Sequence, residues 1–346
     1  MKILFIINHL KTGGAEKVLT LLTNSLSEHE HKITIAKFNK EEPFFELNNS
    51  VEVLNIKQTN SKINILAKIG GIKEIIKTTN PDVVISFTTT MNVYSIIAAK
   101  LLKKPIIVSE HTNYNRAKNN LWRYIRRVFY PFANRVVLLT HYDEKKYTFL
   151  KNKVVIRNPL ILKNQHQNLK REKKILAVGR LHPVKGFDIL IKSFANLKNK
   201  DWKLEILGEG PHREELQALI SSYYLDERVK LCGNVKDVEL YYKQASVYVL
   251  SSRAEGFPGT LCEAMGYGCP SIAFDCISGP NEIITDRVDG ILVEKENSAK
   301  LTDAIDELID NQILRENFEK QSKQIQNKLN IDKITKDWER EIEKAI

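Results

Sequence analysis

Residues Ile3–Ile7 form an unbroken apolar run that Asn8 and His9 close. Such a run is the pattern of a strand buried on both faces. It is too short for the apolar core of a signal peptide, and no small-residue cleavage site follows, so it reads as an internal strand. The turn Lys11-Thr12-Gly13-Gly14 comes next, and then Ala15, Val18, Leu19, Leu22 and Leu26 recur at helical spacing. Further strands are predicted at Ile33–Phe38, Val51–Ile56, Val83–Phe87, Ile106–Ser109 and Val136–Leu139, with helical stretches between them. This is the βαβ rhythm of a doubly wound parallel sheet. Pro159–Lys174 is polar, lysine-rich and without period, and reads as a linker. A second series follows, with strands at Ile175–Val178, Lys203–Leu207, Val229–Cys232, Val247–Leu250, Ser271–Ala273 and Ile291–Val293. Helices are predicted near 187–198, 212–222, 260–268, 298–310 and 313–329, and a last one near 331–345. The expected organisation is two Rossmann-like α/β domains, 1–160 and 161–330, with helix 331–346 packing back on the first. Open α/β sheets bind ligands at the carboxyl ends of their strands, so two facing sheets would define one interdomain cleft.

A length of 346 residues suits two such domains, and 42% apolar with 27% charged residues is globular composition. No stretch approaches the length of a membrane span, so the chain is expected to be soluble or to lie on a surface. Charge changes the picture more. Residues 1–165 hold 26 Lys/Arg against 12 Asp/Glu, a balance of +14, whereas residues 166–346 hold 27 against 30, a balance of −3. A field that one-sided attracts an anionic partner: nucleic acid, anionic lipid or a phosphorylated substrate. The four cysteines, Cys232, Cys262, Cys269 and Cys276, form no C-x-x-C pair and lack a His at zinc-ligand spacing. They read as half-buried reduced thiols of a cytosolic protein.

The stretch richest in chemistry is Ser251-Ser252-Arg253-Ala254-Glu255-Gly256-Phe257-Pro258-Gly259-Thr260-Leu261-Cys262-Glu263, which follows a strand and opens a helix. Its turn would let the N–H groups of Gly259, Thr260 and Leu261 face outward at a helix start. That terminus carries about half a positive charge and unpaired donors, which suit a diphosphate. Glu255 can point outward from the loop while Glu263 reaches a ligand lying along the helix start, and the paired hydroxyls of a sugar or ribose suit such acceptors. Thr260 and Glu263 also fit a T-x-x-E capping box, with Glu255 merely solvated. A second cluster, Gly179-Arg180-Leu181-His182-Pro183-Val184-Lys185-Gly186, directly follows a strand. Arg180 as a fork and Lys185 as a point charge can clamp a diphosphate, or the turn is simply basic and solvated. Neither a P-loop nor G-x-G-x-x-G is present, which argues against a nicotinamide or P-loop enzyme.

Taken in order, G-R-L-x-x-x-K-G, Leu207-Gly208-Glu209-Gly210-Pro211, Gly233-Asn234-Val235, the pair Glu255…Glu263 at E-x7-E spacing and Asp289-Gly290-Ile291-Leu292-Val293 resemble the retaining glycosyltransferases of family four. The Gly13-Gly14 turn and Glu110-His111 after a strand add to the likeness, which covers nearly the whole chain. The resemblance implies a GT-B fold and a nucleotide-sugar donor, expected here to be a UDP-sugar. It implies that Arg180, Lys185 and the amides of Gly259, Thr260 and Leu261 hold the donor diphosphate. Glu209 and Val235 would line the same site, Glu255 would contact the transferred sugar and Glu263 the ribose. Gly13 and Gly14 would close over the diphosphate from the other domain, and His111 would sit near the reaction centre. Retention is implied without an obvious protein nucleophile, and no cofactor or metal is expected: the cations and helix terminus serve the leaving diphosphate, and no Asp-x-Asp motif occurs.

The basic half holds Lys100-Leu101-Leu102-Lys103-Lys104, Arg116, Lys118 and the stretch Leu121–Tyr130. At helical pitch Leu121, Ile125 and Val128 share one face, and Arg123, Arg126 and Arg127 another. Arginines flanked by Trp122, Tyr124 and Tyr130 suit an anionic membrane surface, or belong to a core helix with a solvated basic face. Lys62, Lys68, Lys73 and Lys77 make a second basic stripe near Ile63–Ile76, weakened as a helix by Gly70-Gly71. Residues Glu110–Pro131 are also similar to processive N-acetylgalactosamine transferases of bacterial N-glycan assembly, whose acceptor is a polyprenyl-diphosphate oligosaccharide. The expectation is transfer of a hexose or N-acetylhexosamine to such a lipid-linked glycan by a cytoplasmic enzyme peripheral on the inner membrane face. A sugar-nucleotide epimerase of the same fold is the rival enzyme, and the E-x7-E pair argues against it. The rival from another class is a basic nucleic-acid-binding protein, suggested by the charge alone; no helix-turn-helix, zinc pattern or aromatic RNA-binding stripe accompanies it, so nucleic acid is not an expected partner.

Overall fold

A computed structural model of the chain describes residues 1–57, 65–116, 120–163 and 169–346, without the side chains of Arg116 and Asn120. Two compact units form, Met1–Pro159 with Leu329–Ile346, and Leu160–Lys328. The strands of the first are β1 (Lys2–Ile7), β2 (Lys32–Lys37), β3 (Glu52–Asn55), β4 (Val83–Phe87), β5 (Ile106–Ser109), β6 (Arg135–Leu138) and β7 (Lys153–Val155). They lie in the order β3-β2-β1-β4-β5-β6-β7. The second unit holds β8 (Glu172–Val178), β9 (Lys203–Leu207), β10 (Val229–Gly233), β11 (Ala245–Leu250), β12 (Ser271–Phe274) and β13 (Ile291–Val293). Their order is β10-β9-β8-β11-β12-β13. Every pairing in both sheets is parallel. The order reverses between β1 and β4 in one sheet and between β8 and β11 in the other, and ligands bind at the carboxyl ends of such switch points.

The central strands are apolar without alternation because helices cover both faces. All five residues of Val83–Phe87 are buried, and so are Ile3–Ile7. Val18, Leu19, Leu22 and Leu26 turn inward from helix Gly14–Glu28. The C-terminal helix Ile331–Glu343 packs on that helix within the first unit. Asn330 caps it by accepting from the Lys333 N–H at 3.1 Å. Trp338 and Ile342 are buried, Thr335 bonds Ser25 at 2.9 Å, and Arg135 pairs with Glu341 at 2.9 Å.

Some elements differ from the sequence reading. β7 is only three half-buried residues, too short to mark an apolar run. The stretch 313–329 is two helices, Gln312–Ser322 and Ile325–Lys328. Residues 172–174 of the expected linker belong to β8, because Ser246 and Arg171 tie its start to the neighbouring strand β11. Helix Ile65–Thr79 runs straight through Gly70-Gly71. A Cβ on Gly71 would strike the Ile56 side chain, so this glycine lets the helix lie close to the end of β3. Lys62 and Ile63 of the basic stripe lie outside the described residues, as do Lys118 and the side chain of Arg116.

Candidate active site

In the second unit, the loops after β8, β9 and β10 are joined by their own backbones. The Leu181 N–H donates to Glu209 O at 2.9 Å, and the Gly208 N–H to Gly233 O at 2.8 Å. Three motifs that are far apart in sequence thus form one shelf. Its glycines are sterically required: Gly208 has φ 131° and a Cβ would run into the Gly179 carbonyl, while Gly186 has φ 65° and faces the Ser251 carbonyl. The loop after β11 is fastened to this shelf. The Arg253 N–H donates to Val184 O at 2.7 Å and Ser251 Oγ to Lys185 O at 2.9 Å. The Arg253 guanidinium forks onto Asp188 at 2.8 and 2.9 Å and reaches Glu296 at 2.7 Å. The sequence does not single out Arg253, Asp188 or Ser252, although they hold the site loop in place.

The two cations are not equivalent. Lys185 Nζ lies 2.7 Å from Glu255 Oε1, a partly buried pair to which Ser252 Oγ donates at 2.5 Å. Arg180 is exposed and makes no hydrogen bond or ion pair among the described residues. One charge is therefore committed within the site, and the other is presented to solvent. Glu209 is exposed and paired with Arg213 at 2.7 Å, and Val235 is half-buried beyond Gly233.

Helix Gly259–Gly266 begins behind Pro258 with no side-chain cap. Thr260 therefore lies inside the helix, and the capping-box alternative fails. Its Oγ1 accepts from the Tyr248 phenol at 2.8 Å, and Glu263 Oε2 accepts from the Tyr242 phenol at 3.0 Å. The expected row of three outward amides needs correction. The Gly259 N–H already donates to Phe257 O at 2.9 Å and the Leu261 N–H to Pro258 O at 3.0 Å. A tight first turn consumes these two donors, and among the described residues the Thr260 amide alone of the three is uncommitted.

The first unit brings a second group of residues to the carboxyl ends of β1, β4 and β5. His111 stacks on Phe87 with ring centroids 4.8 Å apart, and its Nε2 lies 3.0 Å from Ser109 Oγ. Burial pulls its imidazole down to about 3, so the ring is neutral at physiological pH. Phe87 in turn stacks on Trp338 at 6.1 Å. Thr88, at the end of β4, has φ 74°, strain of the kind that clusters at functional sites. Gly13 and Gly14 stand at the start of helix Gly14–Glu28. The Glu16 carboxylate folds back over Gly13, and His9 Nδ1 lies 3.2 Å from it.

The arginine face requires a correction. Arg126 is buried, its side chain and that of Glu110 each 1% exposed and 3.6 Å apart. It donates to the Tyr147 phenol at 2.6 Å and to Tyr114 O at 2.7 Å. Glu110 also accepts from Tyr130 at 2.6 Å and from Thr89 at 2.8 Å. Burial pushes the Glu110 carboxyl up against the pull of Arg126. Trp122, Ile125 and Phe129 face the core beside Arg126, whereas Leu121 and Val128, expected with Ile125, are exposed. The outer face of helix Asn120–Phe129 is Leu121, Arg123, Tyr124, Arg127 and Val128. Tyr130 is buried.

Comparison with known proteins bears on both groups. Residues 12–158 match the family described as Glycosyltransferase Family 4, and residues 161–325 match Glycosyl transferases group 1. The chain is 32% identical to an alpha-1,4-N-acetyl-D-galactosaminyltransferase of Campylobacter jejuni named for a GalNAc-GalNAc-diNAcBac-PP-undecaprenol substrate, covering 98% of this chain and 97% of that one. It is 31% identical to the amylovoran biosynthesis glycosyltransferase AmsD of Erwinia amylovora, over 97% and 98%. Anabaena HepE, solved with UDP and glucose, superposes with a TM-score of 0.82 at 19% identity, over 99% of both chains, a likeness of fold alone.

Proposed function

The chain belongs to the family 4, group 1 glycosyltransferases of GT-B fold, and from that membership we propose that it moves a hexose or N-acetylhexosamine, with retention, from a UDP-sugar to a polyprenyl-diphosphate glycan. The observation that carries this reading is the shelf of the second unit. It gathers Arg180, Lys185 and Glu255 beside the β8/β11 switch point, with Glu263 on the helix that follows β11. In the proposed reaction the bond from the anomeric carbon to the diphosphate oxygen breaks, and the electron pair leaves with the diphosphate. Arg180, Lys185 and the Thr260 amide stabilise the charge that develops there, in place of a metal. The acceptor hydroxyl bonds to the anomeric carbon on the same face, and its proton passes to the departing phosphate. Glu255 orients the sugar, and Glu263 the ribose. His111, neutral, offers a hydrogen bond to the sugar rather than a charge.

The acceptor reading rests on the relatives and on the first unit's charge. The Campylobacter relative is named for an undecaprenol-diphosphate substrate. No helix of the described residues is long and apolar enough to cross a membrane, so attachment is proposed to be peripheral, on the cytoplasmic face. Leu121, Tyr124 and Val128, flanked by Arg123 and Arg127, combine apolar insertion with attraction to anionic lipid. A screen of UDP- and GDP-sugars for nucleotide release tests the donor assignment. Release from a UDP-sugar by wild type, with loss in Glu255→Gln, supports it; release only from GDP-sugars overturns it.

A further inference from the structure

Two phenols lie under the helix that carries Glu263. Tyr242, from helix Val238–Gln244, is 0% exposed and donates to Glu263 Oε2 at 3.0 Å. Tyr248, from β11, is 0% exposed and donates to Thr260 Oγ1 at 2.8 Å. The Tyr242 ring is clamped: it stacks on Tyr267 with centroids 5.9 Å apart and planes 16° apart, and packs on Tyr248 at 5.9 Å. Burial, and then the Glu263 charge, push the Tyr242 phenol well above its ordinary value, so it is a fixed neutral donor. A carboxylate has about four acceptor positions, and a donor from a rigid, fully buried ring fixes the plane in which the others lie.

We propose that Tyr242 is a positioning residue for nucleoside binding: its phenol holds the Glu263 carboxylate in the plane that accepts the two ribose hydroxyls. The inference rests on the reading of Glu263 as the ribose acceptor. It adds that the orientation of Glu263 is set from beneath, by a residue that never meets the ligand. Pre-organisation of this kind raises affinity by lowering the cost of ordering the site.

Calorimetry with UDP and with 2′,3′-dideoxyuridine diphosphate separates the possibilities. Tyr242→Phe keeps ring volume and stacking and removes only the donor. It is expected to weaken UDP binding about five- to tenfold and to leave the dideoxy ligand's affinity at the wild-type value. Retained dideoxy binding also reports that the variant is folded. Equal loss for both ligands would make Tyr242 a structural residue of the unit and overturn the proposal, as would no loss for UDP. Wild type binding both ligands equally would overturn the ribose reading of Glu263 and this inference with it.

Discussion

At the scale of single residues, the site is held in a charge arrangement that substitutions will expose. Arg180 makes no ion pair among the described residues, so on the proposed donor site Arg180→Ala should remove a charge-assisted contact to the diphosphate and little else. UDP affinity is expected to fall by about 1.5–3 kcal/mol, roughly ten- to hundredfold in Kd, with an unchanged melting temperature. Lys185→Ala also leaves Glu255 buried without its cation, so it should lower both UDP affinity and melting temperature. Calorimetry paired with thermal melts distinguishes the two, and identical behaviour would refute their different roles. His111 gives a pH signature. Its folded value, near 3, lies below its ordinary value of 6.5, so the unfolded state binds more protons between those limits. Stability from this group is complete above about pH 6.5 and is lost as pH falls toward 3. His111→Gln should flatten the decline of melting temperature across that window. The sequence made Arg180, Lys185, Glu255 and Glu263 legible because their spacing is fixed by a turn or by one helix. Arg253 with Asp188, and Tyr242 with Glu263, were not legible, because each pair joins residues separated by folding rather than by a motif.

Helix Asn120–Phe129 illustrates what happens at the scale of elements. Its sequence permits more than one buried face, and pitch alone does not choose. The choice is made by Glu110 on the end of β5, which is buried and needs a cation, so Arg126 turns inward and Leu121, Tyr124 and Val128 turn outward. Two variants should therefore have opposite signatures. Arg126→Met strands the Glu110 charge and should destabilise the protein by about 3–5 kcal/mol, read by urea unfolding. Replacing Arg123 and Arg127 by Gln should leave stability intact and weaken binding to vesicles of anionic lipid, an effect that rising salt also produces in wild type. Equal vesicle binding by wild type and the double variant would remove this face from the account. The glycine pair at 70–71 misleads for a related reason: helix Ile65–Thr79 needs a small residue at Gly71, where it meets Ile56, and tertiary contact outweighs propensity.

For the whole molecule, the fold followed from apolar runs recurring at βαβ spacing, and two parallel sheets with matching strand order result. β7 is not legible in the sequence because three half-buried residues at a sheet edge leave no periodic trace. The division of charge, +14 over residues 1–165 and −3 over the rest, belongs to this scale too. It fits the proposal that one unit meets an anionic lipid-linked acceptor while the other holds the donor by a few local cations. The most direct test of that account is mass spectrometry of a polyprenyl-diphosphate glycan incubated with the protein and each UDP-sugar in turn. The account predicts that one UDP-sugar adds a hexose or N-acetylhexosamine mass to the lipid-linked glycan. An unchanged acceptor mass with every UDP-sugar, from protein that binds UDP, would contradict it.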